Sequence, residues 1–196
     1  PGSWQQSNVI RWTVPPQNVK SLNKHAILDL IRFTPGGISR VELARQINLT
    51  RAAVTGIIND LQNAGLVREV EGSSAGGRTP IVLEINPRRG FVVGIDMGAT
   101  HVTLLLADFS ARLILELEEA LDINMGPQPC LEVVDRIMRE LLQKAGLGIE
   151  QILAIGVGVP GPTVIEAGMV SGPPIMPGWD GYPIRDHLQN LWHCPV

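Results

Sequence analysis

Four side chains that could contact nucleic acid recur at helical spacing between residues 51 and 59. They are Arg51, Ala52, Thr55 and Asn59, which fall on one face of a helix, and no acidic residue interrupts that face. Arginine can pair with guanine or with a phosphate, asparagine can pair with adenine, and an alanine methyl can contact thymine. The pattern predicts a recognition helix that lies in the major groove of double-stranded DNA.

The segments around this helix carry the signals needed to hold it in place. Thr50 is a predicted N-cap and Gly65 a predicted C-terminal cap. The buried face of the helix is expected to comprise Val54, Ile57, Ile58 and Leu61. Ser39 and Glu42 form a capping box for a shorter helix. That helix is expected to bury Val41, Leu43 or Ala44, and Ile47. A first helix is predicted over 19–33, with an apolar face made of Leu22, Ala26, Ile27, Leu30 and Ile31.

A glycine-rich hairpin follows the recognition helix. Two short apolar segments, 66–70 and 81–85, are its predicted strands. Arg78 follows two glycines at the tip, and we expect it to enter a narrow, A·T-rich minor groove. The alternative is a mobile loop that carries a surface arginine. The order helix, short helix, helix, hairpin predicts a winged helix-turn-helix over residues 18–86.

Three further residues complete the predicted DNA interface. Arg40 lies on the second helix and could contact a backbone phosphate, although an ordinary solvated position explains it nearly as well. We include the capping residues Ser39 and Thr50 in the same interface. Residues 1–17, which hold two tryptophans and a proline pair, are interpreted as a tag remnant and a flexible arm.

The distribution of charge agrees with a DNA-binding first half. Residues 1–89 carry 11 Lys and Arg against 6 Asp and Glu, whereas residues 90–196 carry 5 against 13. A basic module joined to an acidic one favours nucleic-acid binding by the first, and chance is the alternative. The two cysteines, Cys130 and Cys194, exclude a disulfide framework and a four-cysteine zinc site, and they suit a reducing cytoplasm. No apolar run is long enough for a transmembrane helix.

Residues 90–196 show the mixture of strands and helices that is typical of an α/β domain. Four strands are predicted, at 91–97, 102–107, 111–118 and 152–159. Two helices are predicted, at 129–145 and 183–192. The first two strands are almost wholly apolar, which indicates burial on both faces of a sheet. The third alternates, with Leu113, Leu115 and Leu117 on one side. A Gly/Pro-rich loop is expected over 160–182, and another extended segment begins at Cys194.

Two turns in this half could bind a ligand. The first turn contains Asp96, Gly98 and Thr100, at the end of a buried strand. A glycine turn lets backbone amides approach phosphate oxygens, and an adjacent Asp can act on the phosphate through a metal ion. Pro160 and Gly161 follow a later strand, at a place where ligand pockets often form. A tight hairpin and a plain structural turn explain these two segments about equally well. We predict no metal site and no cofactor.

The combined motifs resemble the ROK family, which takes its name from repressors, open reading frames and sugar kinases. The first half contributes ISRVELARQINLTRAAVTGIINDLQNAGLVRE and GGRTP, and the second contributes GIDMGAT, GVGVPGP and PGWDGYPIRDHL. The resemblance implies an α+β winged helix-turn-helix followed by an α/β, actin-like ATPase (ribonuclease-H-like) lobe over 90–196. It also implies a cytoplasmic, homodimeric repressor that binds a double-stranded DNA operator and responds to a sugar or related metabolite, with no membrane association.

Two departures from the family pattern bear on catalysis. Ala99 stands where the kinase members have a second glycine, and its methyl could crowd a nucleotide phosphate. In the family, an Asn-Asp pair, a cysteine-rich zinc motif and a second lobe follow the strand that would begin at Val196, so the lobe looks truncated. We therefore expect a regulator that is not an enzyme, with a vestigial phosphate site. The alternative is an ATP-dependent sugar kinase with an added DNA-binding domain.

Overall fold

The computed structural model describes residues 19–73 and 79–196. The chain divides into two compact units, Pro1–Glu84 and Ile85–Val196. The predicted arm over 1–17 and the hairpin tip with Arg78 lie outside the described residues. No helix in the described part of the chain is long and apolar enough to cross a membrane.

The first unit contains three helices and a two-stranded sheet in the predicted order. The helices are α1 Val19–Phe33, α2 Arg40–Gln46 and α3 Arg51–Asn63. The strands are β1 Val67–Glu71 and β2 Ile81–Ile85. The core is aliphatic, and its most buried side chains are Ile27, Leu43, Val54, Ile58 and Leu61, each 0% exposed. The helical periodicity of α3 is confirmed, because Val54, Ile57, Ile58 and Leu61 are all buried.

The apolar face predicted for α1 was too wide. Leu22 is 53% exposed and Ala26 is also exposed, whereas Ile27 and Ile31 are buried. At 100° per residue, Leu22 lies about 140° around the helix from Ile27, so one ridge cannot hold both. The prediction for Val41 was wrong for the same reason: α2 buries Leu43 and Ala44, which leaves Val41 56% exposed.

The second unit is built on a four-stranded mixed sheet. Its strands are β3 Phe91–Met97, β4 His101–Asp108, β5 Leu113–Ala120 and β6 Ile152–Gly158, in the spatial order β5-β4-β3-β6. The pairs β3–β4 and β4–β5 are antiparallel, and β3–β6 is parallel. Helix α4, Pro127–Ala145, begins two residues earlier than predicted and packs on the sheet. Arg136 of α4 donates two hydrogen bonds to Glu119 of β5, at 2.9 and 2.6 Å.

The central strand β3 is not buried on both faces, contrary to the sequence prediction, whereas β4 buries Val102, Leu104 and Leu106 on one face and Thr103 on the other. Along β3, Val93, Ile95 and Met97 are buried, but Asp96 between them is exposed. The side chains that point to the α4 side form the core, and within the described residues the opposite face of β3 is only partly covered. The apolar sequence of β3 therefore did not mean that both faces of the strand are buried.

The third strand begins later than predicted because of the turn before it. The Asp108 carboxylate accepts hydrogen bonds from Ser110 N, Ser110 Oγ and Arg112 N, and Ala111 takes a φ of 65°. Burial opposes ionisation of Asp108, but these hydrogen bonds hold its pKa below the usual value. The turn leaves Leu113 58% exposed at the start of β5, whereas Leu115 and Leu117 are half-buried.

The predicted loop over 160–182 contains a small hairpin, β7 Thr163–Val164 and β8 Met169–Val170. Trp179 from the same loop is fully buried and donates from its indole nitrogen to the Ile123 carbonyl at 3.2 Å. Helix α5, Ile184–Trp192, follows. The chain then returns beside β6, where Ile155 N donates to Pro195 O at 2.8 Å, as the extended segment predicts.

Candidate nucleic-acid interface

Helix α3 is capped at both ends by the residues that the sequence indicated. Thr50 Oγ1 accepts from Ala53 N at 3.2 Å, which satisfies one of the free amides of the first turn. At the other end Gly65 takes a φ of 71°, and Leu66 N donates to Leu61 O at 2.9 Å. This is the left-handed cap that favours glycine. The caps fix where the helix begins and therefore which side chains share its outer face.

The outer face of α3 presents the predicted contact residues to solvent. Arg51, Ala52, Thr55 and Asn59 are all exposed, and Asp60 lies off their stripe. A Cβ built at Gly56, within the stripe, would meet no atom within 4 Å, so a DNA backbone could approach closely there. Arg51 has no ion-pair partner among the described residues. Its charge is available to a base edge or a phosphate.

The capping role of Ser39 at the start of α2 is confirmed. Its Oγ accepts from Glu42 N at 3.2 Å. Within residues 19–73 and 79–196 neither hydroxyl donates a hydrogen bond, so both caps can also serve the predicted interface. No contact in the structure tests that second role.

The Arg40 side chain is engaged in hydrogen bonds within the protein. Its guanidinium donates to Glu69 Oε1 at 3.0 Å, to Gln62 Oε1 at 2.9 Å and to Asn59 Oδ1 at 3.4 Å. It thereby joins α2 to α3 and to β1. Sequence reasoning missed Glu69 and Gln62, because they lie 22 or more residues from Arg40 and no local periodicity connects them.

The base of the hairpin is tied to the helices. Ile38 and Leu83 exchange two backbone hydrogen bonds, with N···O distances of 3.2 and 2.9 Å, so the segment before α2 pairs with β2. Arg68 on β1 contacts Glu84 on β2 at 3.3 Å. Gly72 N donates to Pro80 O at 2.8 Å, where the strands converge on the tip. Arg78 itself lies outside the described residues.

The turn predicted to face phosphate is a closed β-hairpin. Gly98 N donates to His101 O at 2.8 Å, so this amide is already used within the hairpin. A Cβ at Gly98 would lie 2.8 Å from the His101 ring, which therefore packs directly against the glycine. Ala99 O and Thr100 O accept from Ile123 N and Leu121 N. The turn is therefore held by one hydrogen bond of its own and by two from the segment after β5, as the hairpin interpretation expects.

The sheet brings the two candidate ligand turns next to each other. Asp96 at the end of β3 pairs in register with Gly158 at the end of β6, and Pro160 and Gly161 follow directly. A Cβ at Gly161 would lie 3.1 Å from Pro173 and 3.2 Å from Met176 Sδ, so this glycine packs against the chain. Asp96 and Thr100 are exposed. Among the described residues, no cluster of His, Cys, Asp and Glu could hold a metal ion.

Known proteins resemble both halves of this chain. A family model described as MarR family matches residues 20–78. The xylose repressor of Caldicellulosiruptor bescii is 30% identical over 179 residues, which cover 91% of this chain and 44% of that protein. The Escherichia coli K12 protein described as the DNA-binding transcriptional dual regulator NagC is 30% identical over 154 residues, or 78% of this chain and 37% of its own. The chain is therefore similar in sequence to proteins named as xylose repressor and NagC, and its first half matches the MarR family model.

A solved structure resembles this chain at the level of the fold. The crystal structure of a ROK family transcriptional regulator, described as a homolog of the E. coli MLC protein, superposes with a TM-score of 0.68 at 20% identity. The match covers 91% of this chain and 45% of that one. The chain thus spans about half the length of the relatives it matches, and it combines a winged helix-turn-helix with a mixed sheet and helices.

Proposed function

We propose that this chain is the DNA-binding part, with the adjoining ROK segment, of a sugar-responsive transcriptional repressor. The observation that carries the proposal is the outer face of α3, where Arg51, Ala52, Thr55 and Asn59 are exposed together on a doubly capped helix. A recognition helix needs one buried face that packs on the rest of the domain, and one face of short polar or basic side chains that contact the edges of the bases. The relatives named as xylose repressor and NagC support the same reading.

The proposal extends to the arrangement of the operator. One recognition helix covers few base pairs, so two copies that bind half-sites about one helical turn apart would supply usable specificity. We therefore expect a homodimer on a twofold-symmetric operator in the cytoplasm. Arg78, at the wing tip, is proposed to enter the minor groove beside each half-site. A footprint that covers one unrepeated half-site would contradict the symmetric arrangement.

The second unit is proposed to be the first part of an actin-like lobe that responds to a sugar or related metabolite. The mixed sheet β5-β4-β3-β6, with α4 on one face and α5 after it, supports this interpretation. The ends of β3 and β6 form its candidate ligand edge, with Asp96, Gly98 and Thr100 on one side and Pro160 and Gly161 on the other.

The test of DNA binding is a selection from randomised duplexes followed by fluorescence-anisotropy titrations on the selected site. Arg51→Ala should weaken binding by about 1–3 kcal/mol and relax the preference at one base pair. Arg139→Ala is the matched control, because Arg139 is an exposed arginine of the second unit that pairs only with Asp135 on its own helix. It removes the same charge and should leave affinity within twofold. Equal affinity of the wild-type chain for every duplex would refute the proposal.

We also propose that the chain has no sugar kinase activity. Phosphoryl transfer needs backbone donors at the γ-phosphate, and the Gly98 amide is already bonded to His101 O. Ala99 adds a methyl at the same turn. The measurement is a coupled ADP-release assay over hexoses, pentoses and N-acetylated sugars. Sugar-dependent turnover that disappears in Asp96→Ala would favour the alternative, a kinase with an added DNA-binding domain.

A further inference from the structure

One guanidinium group connects the recognition helix to the rest of the first unit. Arg40 lies at the first position of α2, and its side chain reaches three acceptors on two other elements. Glu69 Oε1 lies 3.0 Å from Nε and 2.9 Å from Nη2, and Gln62 Oε1 lies 2.9 Å from Nη2. These contacts use two of the three guanidinium nitrogens and fix the plane of the group.

The third nitrogen of Arg40 is directed at the recognition face. Nη1 donates to Asn59 Oδ1 at 3.4 Å. Arginine has only donors, so the atom of the Asn59 amide that faces it must be the oxygen. The amide nitrogen occupies the opposite branch of the same planar group. Asn59 is exposed, and no described residue accepts from Nδ2. The Asn59 NH₂ group is therefore a donor that no described residue uses.

This orientation changes the base that Asn59 is suited to recognise. A free asparagine pairs with adenine by accepting from N6 and donating to N7 at the same time. Here Arg40 occupies one of the two lone pairs of Oδ1 and orients the amide, and Nδ2, which can only donate, is the amide atom with no partner among the described residues. In the major groove, guanine presents two adjacent acceptors, N7 and O6, and no donor. A lone NH₂ group complements that edge, because each of its hydrogens can reach one acceptor.

The charge of Arg40 is neutralised within the same cluster. Glu69 binds the guanidinium through one carboxylate oxygen, and the Arg40 side chain retains only 29% of its exposure. Such a group adds little to phosphate attraction, which depends on uncompensated Lys and Arg charge. Arg40 therefore affects recognition through the amide that it orients rather than through a phosphate contact of its own.

We propose that Arg40 is a positioning residue that makes Asn59 a guanine reader, and that without Arg40 the same asparagine reads adenine. The inference rests on the proposed function, since it requires that α3 enters the major groove. The proposed role can be distinguished from a purely structural role of Arg40. If Arg40 only stabilised the fold, its substitution would weaken binding to all DNA sequences alike. If Arg40 orients the Asn59 amide, its substitution changes the preferred base.

The test is a binding selection from randomised duplexes with the whole chain, in wild-type form and as Asn59→Ala, Arg40→Met and Arg139→Met. The base pair whose preference disappears in Asn59→Ala is the one that Asn59 contacts. At that base pair the wild-type chain should prefer guanine over adenine by about 5- to 100-fold. Arg40→Met should shift the adenine-to-guanine ratio by at least about tenfold toward adenine. The Arg139→Met control should leave that ratio unchanged.

The outcomes separate this inference from the function on which it rests. If the wild-type chain has no preference at any position, the proposed function fails and the inference fails with it. If the wild-type chain is specific but reads adenine at the Asn59 position, the inference alone is wrong. It is equally wrong if Arg40→Met weakens binding and keeps the preference for guanine.

Asn59→Asp provides a second test that leaves Arg40 and its acceptors in place, should Arg40→Met lose its helical circular dichroism. The aspartate still accepts from Arg40 but has no outward donor. The preference for guanine should be lost and replaced by a base that presents a donor, cytosine through N4 or adenine through N6. Retention of guanine by Asn59→Asp would overturn the proposal.

Discussion

The hydroxyl of Thr50 holds the first turn of the recognition helix, and its removal is the most direct test of how α3 is anchored. In Thr50→Ala the Ala53 amide loses its acceptor, Oγ1, which lies 3.2 Å away. Loss of an N-cap costs about 0.5–2 kcal/mol. Thr50 is exposed, so water can replace the lost acceptor, which argues against the upper end of that range.

The first turn of α3 has no other group that could compensate for the loss. It contains no acidic side chain, whereas the first turn of α2 contains Glu42, which stabilises the positive end of the helix dipole. We therefore expect about 1 kcal/mol for Thr50→Ala and less for Ser39→Ala. A loss of 1 kcal/mol corresponds to about a fivefold change in the population of opened molecules.

Amide hydrogen exchange of α3, followed residue by residue by NMR, measures this population directly. The amides of α3 should exchange about five times faster in Thr50→Ala than in the wild-type chain, while those of α4 in the second unit stay unchanged. Thr50→Ser is the control, because it keeps the accepting oxygen and should retain most of the protection. If the alanine and serine variants exchange at the same rate, the cap does not anchor the helix and the reasoning is wrong.

Three further expectations concern the thiols, the helix end and the response to acid. Burial raises the pKa of Cys130 and of Cys194, so both thiols should resist labelling at neutral pH and react fully in denaturant, as measured with a colorimetric thiol reagent. Gly65→Ala should destabilise the first unit by about 1–2 kcal/mol in far-UV thermal melts, because φ is 71° there. The hydrogen bond from Arg136 lowers the pKa of Glu119 in the folded chain. The pair therefore stabilises the fold at pH values above the pKa that this carboxyl has in the unfolded chain. The stabilisation is lost as the pH falls through the lower pKa of the folded chain. Glu119→Gln should therefore lower the melting temperature slightly at pH 7 and have no effect in acid, and an equal effect at both pH values would contradict the assignment.

The elements with strong local signals could be predicted from the sequence. The limits of α1, the caps at Ser39, Thr50 and Gly65, and the buried stripe of α3 all agree with the structure. Each of these signals depends on residues within a few positions of each other. Capping and periodicity are local physics, so they survive without knowledge of the tertiary fold.

The sequence predictions that were wrong concern how many faces of a helix or strand are buried. That property depends on which other elements pack against it. Leu22 and Val41 are exposed because the core of the first unit meets only one ridge of α1 and one side of α2. The apolar strand β3 has an exposed Asp96 because α4 packs on one side of the sheet. Periodicity shows which side chains share a face, but it does not show how much of that face the rest of the fold will cover.

The candidate DNA interface was predicted in part for the same reason. The stripe from Arg51 to Asn59 follows from helical spacing alone. The partners of Arg40 could not be found this way, because Glu69 lies on a strand and Gln62 on a different helix. Only the folded unit brings these groups within hydrogen-bond distance.

The position of Arg40 bears on how any recognition helix is interpreted from sequence. An asparagine on an exposed helical face is commonly assigned to adenine because both ends of its amide are assumed to be free. In this chain an arginine from another helix lies 3.4 Å from Oδ1 and occupies one of its two lone pairs, and a strand carboxylate pairs with that arginine. The proposed orientation therefore makes the base preference of Asn59 depend on three elements together. A substitution at Glu69, which never faces the groove, should release Arg40 and alter the base preference of Asn59 on the opposite side of the cluster.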